Sequence, residues 1–238
     1  GCKDAVSWQE ISPADIRLAI NISPRQFRAS GFLQTIDRAL EKSGLAGSSL
    51  EIEITENLLM QDTHEPLEIL NELLDRNISL SLDDFGTGYS SLSYLKRFPL
   101  QVLKIDRSFI NDMMDNQYNK SLVEAIIAMA QILDIKLVAE GVETMEQFEF
   151  LKSRNVEVVQ GYLFSPPLPA ADVEPAAEAE RVVERIVDRP LRRRLPDTRA
   201  RLTATVVLPV PPLPLATATV IGLVVAAAAA AAAGRRVA

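Results

Sequence analysis

The 238-residue sequence contains very few of the residues that build covalent cross-links or soft-metal sites. It has one cysteine, Cys2, and one histidine, His64. A single cysteine excludes an internal disulfide and is typical of a reducing compartment, so we expect a cytoplasmic domain. The same shortage excludes a zinc site made of histidine and cysteine ligands. His64 is isolated in a polar stretch, and we assign it no role.

Positive charge is also in short supply, because 32 acidic residues outnumber 25 lysines and arginines and leave a net charge of −7. This is the wrong sign for a protein that grips nucleic acid through its phosphates, so we expect neither DNA nor RNA as a partner. A small phosphate ligand held through metal cations is compatible with this charge. The hydrophobic content of 47% is enough to bury a core.

Two further absences mark a boundary near residue 170. No aromatic residue follows Phe164, and no lysine follows Lys152. The segment 171–238 is rich in arginine, alanine and proline, and we predict a disordered low-complexity tail there. A surface helix and a membrane anchor over 215–233 stay open as alternatives, as does membrane attachment of a longer protein. The first thirty residues show no basic segment followed by an apolar run, so we expect no signal peptide.

Residues 1–170 form the predicted domain, in which short β-branched or leucine-rich runs alternate with longer amphipathic segments. The strands are predicted at 17–22, 49–55, 78–83, 100–105, 135–140 and 156–160. The helices are predicted at 24–43, 65–76, 90–97, 107–133 and 144–154, and the first residues are typical of the end of an amphipathic helix. Parallel strands need a crossover, usually a helix, so this alternation predicts an α/β fold.

Polar or charged residues close all six predicted strands. They are Asn21, Glu53, Asp83 with Asp84, Lys104, Glu140 and Gln160. A closed barrel brings the carboxyl ends of all its strands around one mouth, whereas an open sheet gathers ligand groups only at a switch point. We therefore predict a TIM-like barrel that is incomplete, with about six of its eight strands present. We expect the missing strands upstream of residue 1, and open sheet edges in their absence.

Oxygen-bearing side chains dominate this predicted mouth. Three carboxylates, Glu53, Asp83 and Asp84, and the amide of Asn21 are the ligand set that suits Mg²⁺ or Mn²⁺. Two such ions can bridge a phosphodiester oxygen and activate a water molecule. Lys104 would then neutralise charge on the phosphoryl oxygens, and Glu140 would orient or deprotonate the water.

Each of these residues also has an ordinary structural interpretation. Asp83 and Asp84 before Gly86 are typical of a strand-to-turn junction. Lys104 and Asp106 could form a surface ion pair. Glu140 with Glu143 could begin a helix, and Asn21 could cap one.

The same stretches closely resemble the EAL family over roughly residues 1–170. The matching segments are NISPRQF at 21–27, EITE at 53–56, DDFGTGYSSL at 83–92, LKID at 103–106, AEGVE at 139–143 and QGY at 160–162. The resemblance implies hydrolysis of cyclic di-GMP to linear pGpG with a two-metal site. It also implies a homodimer and, in a longer protein, an upstream sensor or GGDEF-type cyclase domain.

Residue roles follow from the resemblance position by position. It implies metal ligation by Asn21, Glu53 and Asp83, with Asp84 at or beside the second ion. Lys104 and Glu140 would order or activate the attacking water, and Gln160 would lie beside the site. Thr55, Glu56 and Glu143 would support a loop over 84–92 that couples dimerisation to metal binding.

One departure from the family concerns its name motif. Neither Glu-Ala-Leu nor Glu-Val-Leu occurs in the sequence, and Glu124-Ala125-Ile126 falls inside a predicted helix rather than at a strand end. We therefore expect the parent protein to be active and the 238-residue chain alone to be inactive. Three alternatives stay open: a cyclic di-GMP receptor without catalysis, a dimerising signalling module, and a metal-dependent barrel enzyme with another substrate.

Overall fold

The structure is a computed structural model that describes residues 1–11, 15–60, 65–87, 95–156, 158–164, 168–169, 202–208 and 220–227. Its strands are β1 (Asp15–Ile22), β2 (Leu50–Thr55), β3 (Ser79–Phe85), β4 (Val102–Ile105), β5 (Lys136–Ala139), β6 (Val158–Val159), β7 (Leu168–Pro169), β8 (Leu202–Leu208) and β9 (Val220–Ala227). Each of the six predicted strands is present. Their bounds shift by one or two residues at most ends.

The first six strands form one parallel wall. They lie in chain order from β1 to β6, and every neighbouring pair among them is parallel. A chain that adds each new strand on the same side, with helices in between, produces the curled wall of a barrel. The predicted α/β class and TIM-like architecture are confirmed.

Helices connect these strands. They are α1 (Cys2–Ile11), α2 (Pro24–Phe27), α3 (Phe32–Ser43), α4 (Glu56–Met60), α5 (Glu65–Asp75), α6 (Arg107–Asn111), α7 (Gln117–Leu133) and α8 (Met145–Ser153), with a 3₁₀ turn at Gly47–Ser49. The amphipathic helix expected at the start is present as α1. Most of the helix predicted at 90–97 lies outside the described residues.

Two long predicted helices are wrong as single elements. The 24–43 prediction divides into α2 and α3, because the chain turns through Gly31, whose φ of 87° is left-handed. The 107–133 prediction divides into α6 and α7, because Asn116 accepts hydrogen bonds from two backbone N–H groups and starts a new helix. Helix α4 was not predicted at all, since it follows β2 without a connecting loop.

The core lies on both sides of the parallel wall. In β2, the alternate residues Leu50, Ile52 and Ile54 are fully buried, and so are Glu51 and Glu53 between them. Because successive side chains of a strand point to opposite faces, β2 has one apolar face and one acidic face. The acidic face carries the predicted site.

The predicted tail 171–238 contains two of the described strands. Strand β8 pairs in parallel with β1 and in antiparallel fashion with β9, which also pairs with β7. The edge of β1 is therefore covered, which corrects the expectation of an open edge there. The sequence of β8, LTATVVL, is rich in β-branched residues that favour a strand. The structure describes β8 and β9 within this tail, the rest of the tail lies outside the described residues, and the expectation of a disordered tail stays a prediction.

The described residues contain no helix long and apolar enough to cross a membrane. Within the 215–233 segment, residues Val220–Ala227 form β9 rather than a helix.

Candidate active site

The polar residues predicted at the mouth converge in the structure. Register places Asn21 of β1 opposite Glu53 of β2, and Thr55 of β2 opposite Asp83 of β3. Lys104 lies in β4, and Glu140 directly follows β5. These positions share one end of the parallel wall, as the strand-end pattern predicts.

Lys104 occupies the centre of this group. Its Nζ lies 2.7 Å from Glu53 Oε1, 3.1 Å from Asp83 Oδ1 and 2.5 Å from Glu140 Oε1. Its side chain is only 4% exposed, and that of Glu53 only 1%. We call these four residues the lysine–carboxylate cluster. The predicted alternative of a Lys104–Asp106 pair is wrong, because Asp106 instead caps α6 through the Ser108 amide.

Asn21 extends the cluster on the side of β1. Its Nδ2 donates to Glu53 Oε2 at 2.7 Å, which leaves its Oδ1 for another partner. The alternative role of Asn21 as a helix cap is also wrong, because Ser23 caps α2 with its side chain and forms a capping box with Gln26.

The cluster contains three carboxylates and one ammonium, and the pKa values of Glu53, Glu140 and Lys104 are all raised. Burial raises the pKa of Glu53 to about 7, with Lys104 opposing the shift and Asp83 adding to it. Burial also raises the pKa of Glu140, again against Lys104. For Lys104, burial works to lower the pKa, but the carboxylates of Glu53, Glu140 and Asp83 raise it well above its usual value.

Asp84 lies next to the cluster but in a different environment. The register between β3 and β4 shifts between Leu82 and Phe85, and Asp84 adopts a left-handed φ of 55°. A bulge of this kind re-aims a side chain at the end of a strand. Asp84 is exposed as a whole residue, but partial burial of its carboxyl, together with the charges of Asp83 and Asp106, raises its pKa.

Backbone hydrogen bonds hold the residues that directly follow β5 and β6 in place. The Glu140 amide donates to the Ile105 carbonyl at 3.2 Å, and the Gln160 amide donates to the Ala139 carbonyl at 2.8 Å. The Gln160 carbonyl in turn accepts from Val142 at 2.9 Å. The backbone of Gln160 is thus held next to the residue that precedes Glu140, no contact of its side chain with the cluster is described, and its predicted place beside the site stays a prediction.

The remaining predicted residues lie around this group. Glu56 is 5% exposed, and among the residues that the structure describes neither of its carboxylate oxygens has a hydrogen-bond partner. Thr55 is half-buried and Glu143 exposed. Most of the predicted 84–92 loop lies outside the described residues, as does His64, so the supporting roles of Thr55, Glu56 and Glu143 stay predictions.

Sequence reasoning missed Gln147, which lies close to the exit of β5. Its buried side chain caps α8 and contacts the end of α6. The spacing Thr144-x-x-Gln147 is a capping-box signal that was readable in the sequence.

A divalent cation fits the chemistry of this site. Buried carboxylate oxygens are the ligands that hard cations prefer, and Glu53 Oε1 and Asp83 Oδ1 are buried with the Lys104 ammonium as their shared ion-pair partner. Within the described ranges, no three histidine, cysteine, aspartate or glutamate side chains already stand in a metal-binding arrangement. Lys104 lies between the carboxylates and supplies part of the positive charge that they require.

Two surface cavities lie elsewhere along α7, one between α7 and residues 153–155 and the other between α7 and the start of β5. Their volumes are about 540 and 450 Å³, and Ile127, Gln131 and Asn155 line both. No predicted site residue lines either cavity, so the chemistry is not located there.

Comparisons with known proteins agree with this geometry. The family model described as EAL domain matches residues 1–167. The cyclic di-GMP phosphodiesterase NbdA of Pseudomonas aeruginosa is 46% identical over 180 residues, which cover 76% of this chain and 23% of NbdA. The chain thus spans about a quarter of the length of that relative.

Solved structures show the same fold. The PaMucR phosphodiesterase in complex with c-di-GMP is similar with a TM-score of 0.69 and 42% identity, over 71% of this chain and 69% of that one. The manganese and cyclic di-GMP complex of Klebsiella pneumoniae BlrP1 at pH 9.0 is similar with a TM-score of 0.62 and 29% identity. That match covers 68% of this chain and 41% of BlrP1.

Proposed function

Because this chain belongs to the EAL domain family, we propose that it provides the catalytic wall of a metal-dependent phosphodiesterase that hydrolyses cyclic di-GMP to linear pGpG. The observation that carries the proposal is the lysine–carboxylate cluster, which joins Glu53, Asp83, Lys104 and Glu140 from four successive strands. The proposed substrate is inferred from the names of the similar proteins, which mention cyclic di-GMP. The cluster supplies the chemistry.

Asn21, Glu53 and Asp83 would hold one divalent cation, and Asp84 would hold or border a second. Their excess negative charge supports this assignment, since burial and the neighbouring carboxylates raise the pKa of Glu53 to about 7 even though the Lys104 ammonium opposes the shift. When bound, such cations lower the pKa of a water molecule and neutralise charge on a phosphoryl group. Both Mg²⁺ and Mn²⁺ suit these oxygen ligands, and the manganese complex of BlrP1 supports a divalent cation.

Lys104 and Glu140 would act on the substrate and the water. Lys104 keeps its proton, because three carboxylates raise its pKa, and its ammonium stabilises negative charge that develops on the phosphoryl oxygens. Glu140, whose pKa is raised, accepts a proton from the attacking water. A new bond forms between the water oxygen and phosphorus, the bond from phosphorus to one ribose oxygen breaks, and that ribose oxygen takes up a proton.

The proposal applies to a protein in which a Glu-Ala-Leu element accompanies these residues, since this sequence contains none. The 238-residue chain alone is expected to show no turnover. Membership of a dimer, an upstream cyclase or sensor domain and a cytoplasmic location remain predictions. The intact acidic positions favour catalysis over a receptor role.

Chromatographic analysis of cyclic di-GMP incubated with Mg²⁺ or Mn²⁺ tests the proposal. A longer protein that supplies a Glu-Ala-Leu element ahead of these residues, called the extended protein below, should release pGpG, and its Glu53→Gln variant should not. Binding without turnover by the extended protein would indicate a receptor. Neither binding nor turnover with either metal would overturn the proposal.

A further inference from the structure

The side chain of Gln147 connects the segments that follow β4 and β5. On one side, its Oε1 accepts hydrogen bonds from the Glu143 amide at 2.8 Å and the Thr144 amide at 3.0 Å. On the other side, its Nε2 donates to the Ile110 carbonyl at 3.1 Å and the Asn111 carbonyl at 3.2 Å. All four hydrogen-bonding positions of the amide are therefore used, in a side chain that is 4% exposed.

The two segments joined in this way carry the two ends of the Lys104–Glu140 ion pair. Lys104 is one residue from the end of β4, and α6 begins after the capping residue Asp106. Glu140 follows β5 and lies three residues before Glu143. A shift of α6 relative to the 140–144 segment would therefore change the separation of Lys104 and Glu140.

A close backbone approach shows how tightly these segments pack. Gly141 has a left-handed φ of 72°, and a Cβ at this position would lie 2.6 Å from Arg107 Cβ and 3.3 Å from Asn111 Oδ1. Only glycine fits here. The 140–144 segment thus packs directly against α6. Gln147 hydrogen-bonds to the C-terminal end of α6, at Ile110 and Asn111.

We propose that Gln147 is a positioning residue that sets the geometry of the Lys104–Glu140 pair through its two hydrogen bonds to the end of α6. This role is separate from its capping of α8. The cap uses the Oε1 of Gln147, whereas the bridge to α6 uses only its Nε2. The geometric claim stands on these contacts alone, and only its consequence for turnover rests on the proposed function.

Three substitutions separate the bridge from the cap. Gln147→Glu keeps two acceptor oxygens for the Glu143 and Thr144 amides, and glutamate is favoured at this capping-box position. It removes both donors, however, and places a negative charge against two carbonyl oxygens at the end of α6. Gln147→Met removes bridge and cap without adding charge. Thr144→Ala is the matched control, because it removes the hydroxyl that accepts a hydrogen bond from the backbone N–H of Gln147 and leaves the two side-chain hydrogen bonds to α6 intact.

The readout is the ¹H–¹⁵N signal of the Lys104 ammonium in the chelated 238-residue chain, assigned by its absence from Lys104→Met. A buried, ion-paired ammonium exchanges its protons slowly enough to give such a signal. We expect Gln147→Glu and Gln147→Met to abolish the signal or shift it by more than its linewidth, while Thr144→Ala keeps the wild-type signal. A wild-type signal in either folded Gln147 variant overturns the proposal. Equal loss in Thr144→Ala also overturns it, because the cap would then be responsible.

A second measurement connects the geometry to turnover. In the extended protein, Gln147→Met should lower kcat roughly 10- to 100-fold, as loss of a residue that orients a catalytic group does, with KM nearly unchanged. Thr144→Ala should leave both constants near their wild-type values. An extended protein without any activity would count against the proposed function only, because the ammonium signal does not depend on substrate.

Discussion

Lys104 is the residue on which the charge of the site depends. Its ammonium is the cation that the structure places among Glu53, Asp83 and Glu140, and all four side chains are largely removed from water. Removing one partner from a buried ionic group leaves uncompensated charge, which is more costly than the pair itself is stabilising. The residue should therefore matter for folding as well as for the proposed catalysis.

Substitution of Lys104 by methionine tests this dependence. In EDTA, Lys104→Met should lower the free energy of unfolding by about 3 to 5 kcal/mol, the cost of breaking a buried ion pair. Lys136→Met is the matched control, since Lys136 is exposed on the neighbouring strand, and it should change stability by less than about 0.5 kcal/mol. Urea unfolding measures both values. Similar values for the two variants would mean that the cluster is solvated.

The raised pKa of Glu53 predicts how stability depends on pH when metal is removed. The folded-state pKa of about 7 lies above the ordinary 4.5, so the folded protein binds a proton that the unfolded chain has released between these values. The stability from this proton is complete below pH 4.5 and is lost as the pH rises through 7. The loss should be about 3 kcal/mol, from a pKa difference of about 2.5 at about 1.4 kcal/mol for each pKa unit.

Glu53→Gln isolates this effect, because the variant cannot titrate at that position. In EDTA, the difference in unfolding free energy between wild type and Glu53→Gln should change across pH 4.5 to 7.5, to the disadvantage of wild type at higher pH. A difference that stays constant across this window would show that Glu53 titrates normally. Urea unfolding at half-unit pH steps gives the comparison.

The residues of the cluster were predictable from sequence because strand ends in a parallel wall share one mouth. Their partners were not, since distances between side chains depend on register. The sequence allowed a Lys104–Asp106 ion pair. In the structure β4 ends at Ile105, and the Asp106 side chain caps α6 instead of pairing with Lys104. Gln147 was missed because its partners Ile110 and Asn111 belong to a distant part of the sequence.

At the scale of elements, Arg76 ties the end of α5 to α3. Its Nε and Nη2 donate to the two carboxylate oxygens of Asp37 at 2.6 and 3.1 Å, and its Nη1 donates to Glu72 at 2.8 Å. The hydrogen bond from Arg76 lowers the pKa of Asp37. The paired carboxylate is nevertheless about half exposed, so solvent screens the interaction.

Asp37→Asn should therefore destabilise the chain by only about 0.5 to 1 kcal/mol at pH 7 and low salt. Because the folded pKa of Asp37 is lowered, its contribution is present above the ordinary pKa and is lost as the pH falls through the folded value. Glu41→Gln, exposed on the same helix, is the control and should have a smaller effect. A loss that persists in 1 M salt would contradict a screened surface pair.

The strands were predicted well, because the spacing of apolar residues determines them. The helix ends were predicted less well, because local turns and capping residues determine them. The strands β1 to β5 were found because apolar runs of four to eight residues stand out between helices. The breaks at Gly31 and Asn116 were missed, because the amphipathic pattern continues across them while backbone conformation and capping interrupt the helix. At Gly31 and Asn116, the N-cap residue determines where the next helix begins, and the apolar spacing does not.

At the scale of the whole molecule, β8 and β9 extend the wall beyond β1. Composition predicted disorder for this part of the chain, since proline and alanine dominate it. The proline residues at 209, 211, 212 and 214 flank β8 rather than interrupt it, so they do not oppose the strand. Pairing of a distant segment with β1 is a nonlocal contact that no local pattern reveals.

Truncation distinguishes pairing from disorder in the tail. A chain that ends at residue 170 loses β8 and β9, exposes the edge of β1 and should become less stable and prone to aggregation. A chain that ends at residue 227 keeps both strands and should behave like the full chain. Light scattering and thermal unfolding of the two truncated chains provide the measurement. Equal behaviour of both would mean that β8 does not protect β1 in solution.

The acid excess around Lys104 has a consequence for how long the protein survives. Any divalent ion that binds the folded wall but not the unfolded chain shifts the folding equilibrium by mass action. Protease sensitivity of this domain should therefore track the supply of free divalent ions, with the depleted form degraded first. The proposed water-activating site would thus also make the lifetime of the polypeptide depend on the concentration of free Mg²⁺ or Mn²⁺.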